Sequence, residues 1–301
     1  MMIKANVFSA SCVAGLVMTG ASFAQVVEER PAPQVGRQVP ADTAVLQDEE
    51  RTATVDASAS LRRVSDLLGG EARGPGDEGR IAAISDLIMD AQGRPHYVLL
   101  SRGGLAGVGG DKIAVPFQVG TFAQDEDRNW HYQLNMTGDQ LDQAPVLEEG
   151  SLASLRDANW VQANRQFFDA DAVGDDSGTG DDSFLFRADA LTDAEVRGQA
   201  GDDSIANVDD VILGPDFRAT YGILGYGGVA GLGKNQVPVP FSMLQLEARA
   251  DDDRYELVVS IPTTKEYLQS ETAPKLDGND ERLLDTTFLD RVKEYFAVDP
   301  S

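Results

Sequence analysis

Apolar residues in this chain fall into short runs separated by glycine, proline and aspartate. Between residues 81 and 89, Ile81, Ile84, Leu87 and Ile88 mark a strand buried over most of its length. Asp90-Ala91-Gln92-Gly93 follows with turn chemistry. Further strands are expected at Tyr97–Leu100, Lys112–Phe117 and His131–Met136. Pro116 marks an edge or a bulge, because proline cannot donate to a ladder. Short strands divided by Gly-rich turns, without intervening helices, point to a small closed or half-closed antiparallel barrel. The period then changes. Leu152, Leu155, Trp160, Val161, Asn164 and Phe168 suit one face of a helix.

The pattern then returns. Tyr97, Leu100, Gly103, Gly104, Ala106, Gly107, Gly109, Val115, Pro116 and Phe117 recur as Tyr221, Leu224, Gly227, Gly228, Ala230, Gly231, Gly233, Val239, Pro240 and Phe241, a spacing of 221 − 97 = 124 residues. The spacing holds from Ala72/Val196 onward, and the helix recurs as Leu283, Phe288, Leu289, Val292 and Phe296 at an offset of 128. A fixed-period echo means two copies of one folding unit. The expected organisation is residues 61–169 for the first unit, 170–183 as an acidic linker and 184–298 for the second. Each is a barrel followed by an amphipathic helix that docks on it, and each is expected to enclose a complete core.

These residues resemble the PRC-barrel family. The resemblance rests on Leu67-Leu68-Gly69-Gly70, the strand Ile84–Asp90, Tyr97–Ser101, Gly103–Gly110 and Val115-Pro116-Phe117, with Ala144-Pro145 and Ala273-Pro274 near the two barrel ends. It covers about Leu61–Leu147 and Phe186–Leu276. It implies a mainly β chain of two tandem small antiparallel β-barrels used for assembly and binding, with no chemistry of their own.

Composition narrows the setting. The 301-residue chain carries fifty acidic against twenty-five basic residues, a net charge of −25. Such a surface repels nucleic acid and anionic lipid, so neither is an expected partner. Lys4, the apolar run Val7–Thr19 and Ser22-Phe23-Ala24 form an export signal over residues 1–24, cleaved before Gln25. The single cysteine, Cys12, lies inside it, where too short an apolar run precedes it for lipidation. Residues 25–60, with Pro31, Pro33 and Pro40 and no apolar period, are expected to be a disordered tether. The expected location is periplasmic or secreted.

Candidate chemistry is sparse. His96 and His131 are the only histidines, and neither is echoed in the other copy. No GxSxG element occurs, and Gly103–Gly110 lacks the lysine and following helix of a phosphate loop. No catalytic, cofactor or metal residue is therefore assigned, and no enzyme is expected. Arg73 with Asp86, repeated as Arg197 with Asp210, is the opposite-charge set kept in both copies, and an ion pair fixing strand register is expected there. The acidic tips Asp125–Arg128 and Asp251–Arg254 recur at hairpin ends, guarding edges or meeting a basic partner. The expected function is a non-catalytic binding or scaffold module of the cell envelope, with an envelope protein as partner. The alternative is an acidic calcium-binding or calcium-responsive protein, because Gly178–Phe184 fits one turn of a calcium-binding repeat and Gly201–Ile205 echoes part of it.

Overall fold

The structure, a computed structural model, describes residues 61–76, 78–103, 110–147, 152–170, 184–199, 204–228, 233–251, 254–278 and 280–297. The chain divides into Met1–Thr52 and Ala53–Ser301, and every described residue lies in the second unit. The export signal, the tether, most of the acidic linker and the calcium-like stretches Gly178–Asp182 and Gly201–Asp203 lie outside the described residues.

The first repeat runs β1 (Arg62–Arg63), α1 (Val64–Leu67), β2 (Glu71–Arg73), β3 (Arg80–Asp90), β4 (Pro95–Arg102), β5 (Asp111–Pro116), β6 (Thr121–Gln124), β7 (Trp130–Gln133), α2 (Gly138–Leu141), β8 (Val146–Leu147) and α3 (Ala158–Phe167). The second runs β9 (Leu185–Arg187), α4 (Ala188–Leu191), β10 (Glu195–Arg197), β11 (Ser204–Leu213), β12 (Ala219–Tyr226), β13 (Asn235–Pro240), β14 (Gln245–Asp251), β15 (Arg254–Ser260), α5 (Lys265–Leu268) and α6 (Thr286–Ala297). The expected strands are present, and β4 joins β5 as a hairpin across the glycine stretch, with Arg102 opposite Asp111.

Two features differ from the sequence expectation. The strands form two mixed sheets rather than antiparallel ones, since β2 runs parallel to β7 and β10 parallel to β15. Neither sheet closes among the described residues: one runs β6-β7-β2-β3-β4-β5-β8 and the other β13-β12-β11-β10-β15-β14.

The second difference is reciprocal exchange. Strand β1 of the first repeat pairs with β11 of the second, with Arg63 opposite Ile212. Strand β9 of the second repeat pairs with β3 of the first, with Arg187 opposite Ile88. Both registers are related by the same 124 residues, so the exchange is pseudo-symmetric. Each repeat therefore completes the other's sheet instead of its own. One continuous apolar core results, running from Val64, Leu87 and Leu100 in the first repeat to Val211, Leu224 and Val292 in the second.

The two longer helices behave as their spacing requires. Asp157 caps α3 by accepting a hydrogen bond from the Trp160 amide at 2.8 Å, and Asp285 accepts from Thr287 at 2.9 Å at the start of α6. Helix α6 buries Phe288, Leu289, Val292 and Phe296 and packs along β13. Helix α3 covers a separate small cluster of Ile88, Tyr97, Leu99, Ala114 and Leu147. It buries Asn164, whose amide donates to the Ala114 carbonyl at 2.9 Å.

Candidate functional site

The exchange seam holds the most concentrated buried charge. A register shift between Ile84 and Asp86 in β3, matched between Val208 and Asp210 in β11, is a bulge that re-aims the carboxylate that follows. Asp86 is fully buried and Asp210 nearly so. Asp86 accepts from the Arg187 guanidinium at 2.7 Å, from the Asp189 amide at 3.1 Å and from its neighbour Leu87 at 2.8 Å. Asp210 accepts from Arg63 at 3.1 Å, from the Ser65 amide and hydroxyl at 3.3 and 2.6 Å, and from Val211 at 2.8 Å. The same shell is thus built twice, and every cation in it comes from the other repeat.

This corrects the expected pairing of Arg73 with Asp86 and of Arg197 with Asp210. The bulge turns the aspartates toward the exchanged strand, while Arg73 pairs at 3.2 Å with Glu71 and with Asp125. Arg63 and Arg187 were missed although they also lie 124 residues apart. The repeat in fact reaches back through Leu67/Leu191, Arg63/Arg187 and Leu61/Leu185.

The two halves of the seam are not equal. Where Ser65 lends a hydroxyl to Asp210, Asp189 places a second carboxylate beside Asp86, sharing Arg187 at 2.7 Å. Burial raises the Asp86 carboxyl to about 7, the neighbouring Asp189 reinforces this, and Arg187 opposes it.

His96 lies in a second cluster, 3.0 Å from the fully buried Asp90 carboxylate. Asp90 also accepts from the Gln92 and Arg94 amides at 3.0 and 2.9 Å and from the Arg94 guanidinium at 2.8 Å. Burial disfavours the charge, but the hydrogen bonds from His96 and Arg94 prevail and hold the carboxyl at about 2. The cluster staples the β3–β4 turn. In the second repeat Gly214 replaces Asp90, so the staple exists once. His131 lies on β7 with its Nδ1 buried and without a hydrogen-bond partner. Among the described residues no group of three or more His, Cys, Asp or Glu side chains could hold a metal ion.

The turns after β3 and β11 make a further reciprocal contact. Gly93, at φ +75°, lies so near the second repeat that an added Cβ would come within 2.6 Å of Ala219 and 2.9 Å of Phe241. Its counterpart Phe217, at φ +61°, instead inserts its ring among Phe117, Phe122 and Trp130, with centroids at 5.5, 5.0 and 6.3 Å. The Arg62 guanidinium stacks 4.0 Å from the Phe217 ring and 4.8 Å from Trp130.

One open cleft of about 740 Å³ lies between residues 271–277 and α6, lined by Glu271, Lys275, Asp277, Arg282, Arg291 and Glu294 among others. Its cations and carboxylates balance, and Arg282 is held by Asp277 at 2.8 Å. Of the two acidic tips, Asp125 is a structural residue: it caps its hairpin through the Asp127 and Asn129 amides at 3.1 and 2.9 Å and pairs with Arg73. The other tip includes Asp252 and Asp253, outside the described residues. No helix among the described residues is long and apolar enough to cross a membrane. Neither a family model nor a curated protein matches the chain.

Proposed function

We propose that this chain is a non-catalytic, exported binding or scaffold module of the cell envelope, built from two repeats of PRC-barrel type. The observation that carries the reading is the reciprocal exchange of β1 and β9, which locks two copies of one surface into a single body. The residues common to both copies support it. They are glycines, prolines, core aliphatics and the aspartate–arginine pairs of the seam, all of which serve the body rather than a reaction. Two copies held at a fixed spacing raise avidity wherever both meet one partner.

Two measurements test this. Intact mass of the protein from its native source is expected to begin at Gln25; a chain retaining Met1 removes the exported, soluble part of the reading. Crosslinking in intact cells followed by mass spectrometry is expected to join the repeats to an envelope protein. Absence of crosslinks, together with stoichiometric micromolar calcium binding by calorimetry, would overturn the scaffold in favour of a calcium-responsive protein.

A further inference from the structure

The two repeats part company where the helix after each sheet meets the segment before it. In the first repeat β8 pairs with β5, and the Trp160 indole on α3 donates to the Val146 carbonyl at 3.2 Å, joining helix to strand. Phe288 stands at the Trp160 position on α6, at the offset of 128 that relates the two helices. Lys275 stands at that of Val146, since Ala144-Pro145 returns as Ala273-Pro274. A phenyl ring has no donor with which to reach the strand. Phe288 instead turns into the core, 1 % exposed, and the Arg282 guanidinium takes the Lys275 carbonyl in place of an indole. The Leu276 amide still reaches the Gln236 carbonyl at 2.8 Å, but Lys275 and Leu276 form no strand. Between this segment and α6 lies the cleft of about 740 Å³.

The lining differs as a set. Val146, Ser154, Ala163 and Gln166 of the first repeat correspond to Lys275, Arg282, Arg291 and Glu294, so four uncharged positions carry charge in the second. All four line the cleft, with Glu271 and Asp277. Its walls are tied in place. The Tyr295 hydroxyl donates to the Tyr267 carbonyl at 2.6 Å, and the two rings stack with centroids 4.5 Å apart. Arg282 is held by Asp277 at 2.8 Å, and the guanidinium groups of Arg282 and Arg291 each lie 5.6 Å from the centre of the Phe288 ring. With Arg282 and Asp277 matched, the cleft keeps two cations, Lys275 and Arg291, and two carboxylates, Glu271 and Glu294. Among the described residues none of these four is in an ion pair.

Charges equal in number but unmatched with one another disfavour a ligand of one sign. An anion drawn to Arg291 meets Glu294, its neighbour one turn along α6, and a cation meets the reverse. We propose that this cleft binds a small dipolar molecule of the amino-acid or short-peptide class, its carboxylate set against Arg291 and Lys275 and its ammonium against Glu271 and Glu294. The volume falls within the range of small-ligand clefts, about 300–1,000 Å³. An arginine already stacked on a ring offers a carboxylate a preset, bidentate partner. Such a site adds a ligand to the scaffold reading and does not depend on it.

The test screens the full chain, by thermal shift and then calorimetry at neutral pH, against the natural amino acids and the dipeptides built from them. At least one is expected to raise the melting midpoint saturably and to bind with a Kd tighter than about 1 mM. Acetylating its amino group or amidating its carboxylate is expected to weaken binding by about tenfold or more, the loss of one charge-assisted contact. Arg291→Ala and Glu294→Gln should each do the same without moving the midpoint of the unliganded protein, since both side chains are exposed. Lys293→Ala, on the same helix but outside the cleft, should bind as the wild type does. A panel without a binder overturns the site. A binder that tolerates either blocked end, or either cleft substitution, overturns dipolar recognition in this cleft. Each of these failures leaves the scaffold reading standing, because that reading falls only with the crosslinking result.

Discussion

Replacing Arg187 by alanine removes the guanidinium that pairs with Asp86, a carboxylate with no exposed surface. Two amide donors remain, from Leu87 and Asp189, but Asp189 also leaves its own carboxylate nearby, now without the shared arginine. Breaking a buried pair from one side costs up to about 3–5 kcal/mol when the remaining charge stays buried without its partner, and less when that group can take up a proton. The cost depends on pH, and the sign follows from the raised Asp86 carboxyl. Its value of about 7 lies above that of an unfolded aspartate, so its contribution is fully present below about pH 4 and is lost as pH rises through about 7. At pH 5 the folded protein holds Asp86 protonated with or without Arg187, and the variant loses little more than hydrogen bonds, about 1–2 kcal/mol. At pH 8 the wild type holds a paired carboxylate, whereas the variant, without the guanidinium that opposes the rise, takes up a proton at Asp86, and the loss grows over that at pH 5 by up to about 1.4 kcal/mol. Urea unfolding of the full chain at the two pH values reads this directly. With a slope near 2.5 kcal/mol/M, the midpoint should fall by about 1 M at pH 8 and by about half a molar at pH 5. A loss below about 1 kcal/mol at pH 8, the size of an exposed pair, would refute the buried-seam argument. So would equal losses at both pH values.

Asp90→Asn should cost about 2 kcal/mol at neutral pH. Its folded carboxyl, near 2, lies below the unfolded value, so its stabilisation is present above about pH 4 and is lost as pH falls toward 2. An acid titration of the variant should be flatter between pH 5 and 2 than that of the wild type; parallel curves would show that the His96–Arg94 staple contributes nothing. Gly93→Ala should destabilise by about 1–3 kcal/mol, since the residue sits at positive φ and its new methyl meets Ala219 and Phe241; an unchanged thermal midpoint would contradict the close approach. Phe217→Ala empties the contact with Phe117, Phe122 and Trp130 and should cost about 2 kcal/mol, below the range for fully buried rings because Phe217 is only half-buried. A chain cleaved at a protease site placed between residues 171 and 183 should elute as one species, because β1 and β9 still bridge the halves; separation without denaturant would refute the exchange.

Strand positions were legible because β propensity and turn chemistry are local. Ile81–Met89 has branched residues ahead of an aspartate–glycine turn, and it forms most of β3. The helices were legible because Leu155 and Phe168, or Phe288, Val292 and Phe296, repeat at helical spacing. The closed barrels and self-contained cores did not emerge, for a reason that no periodicity carries. Strand β1 has two residues and β9 three, too short for a pattern, and nothing in their composition says which sheet they join. The ion pairs failed for a related reason. Arg73 and Asp86 recur together, but recurrence cannot tell a pair within one copy from a pair between copies. A bulge at Ser85, invisible in sequence, made the choice.

A duplicated chain whose halves exchange strands gains a seam that neither half could form with itself in the same chain. That explains which differences between the copies are tolerated. Inside the seam, changes come as compensating sets: Gly93 admits Phe241, while Phe217 fills the space against Phe117. Ser65 stands where Asp189 does, and Asp280 supplies Arg63 with the second carboxylate that Asp189 supplies to Arg187. Outside the seam the copies diverge without compensation: the second repeat lengthens its hairpin and drops the Asp90 staple, and the core does not change its course. Constraint at the centre and freedom at the rim is the distribution expected of a body kept rigid by its seam and used at its periphery. The β14–β15 hairpin is where that freedom has added backbone, seven residues in each strand against four in β6 and β7.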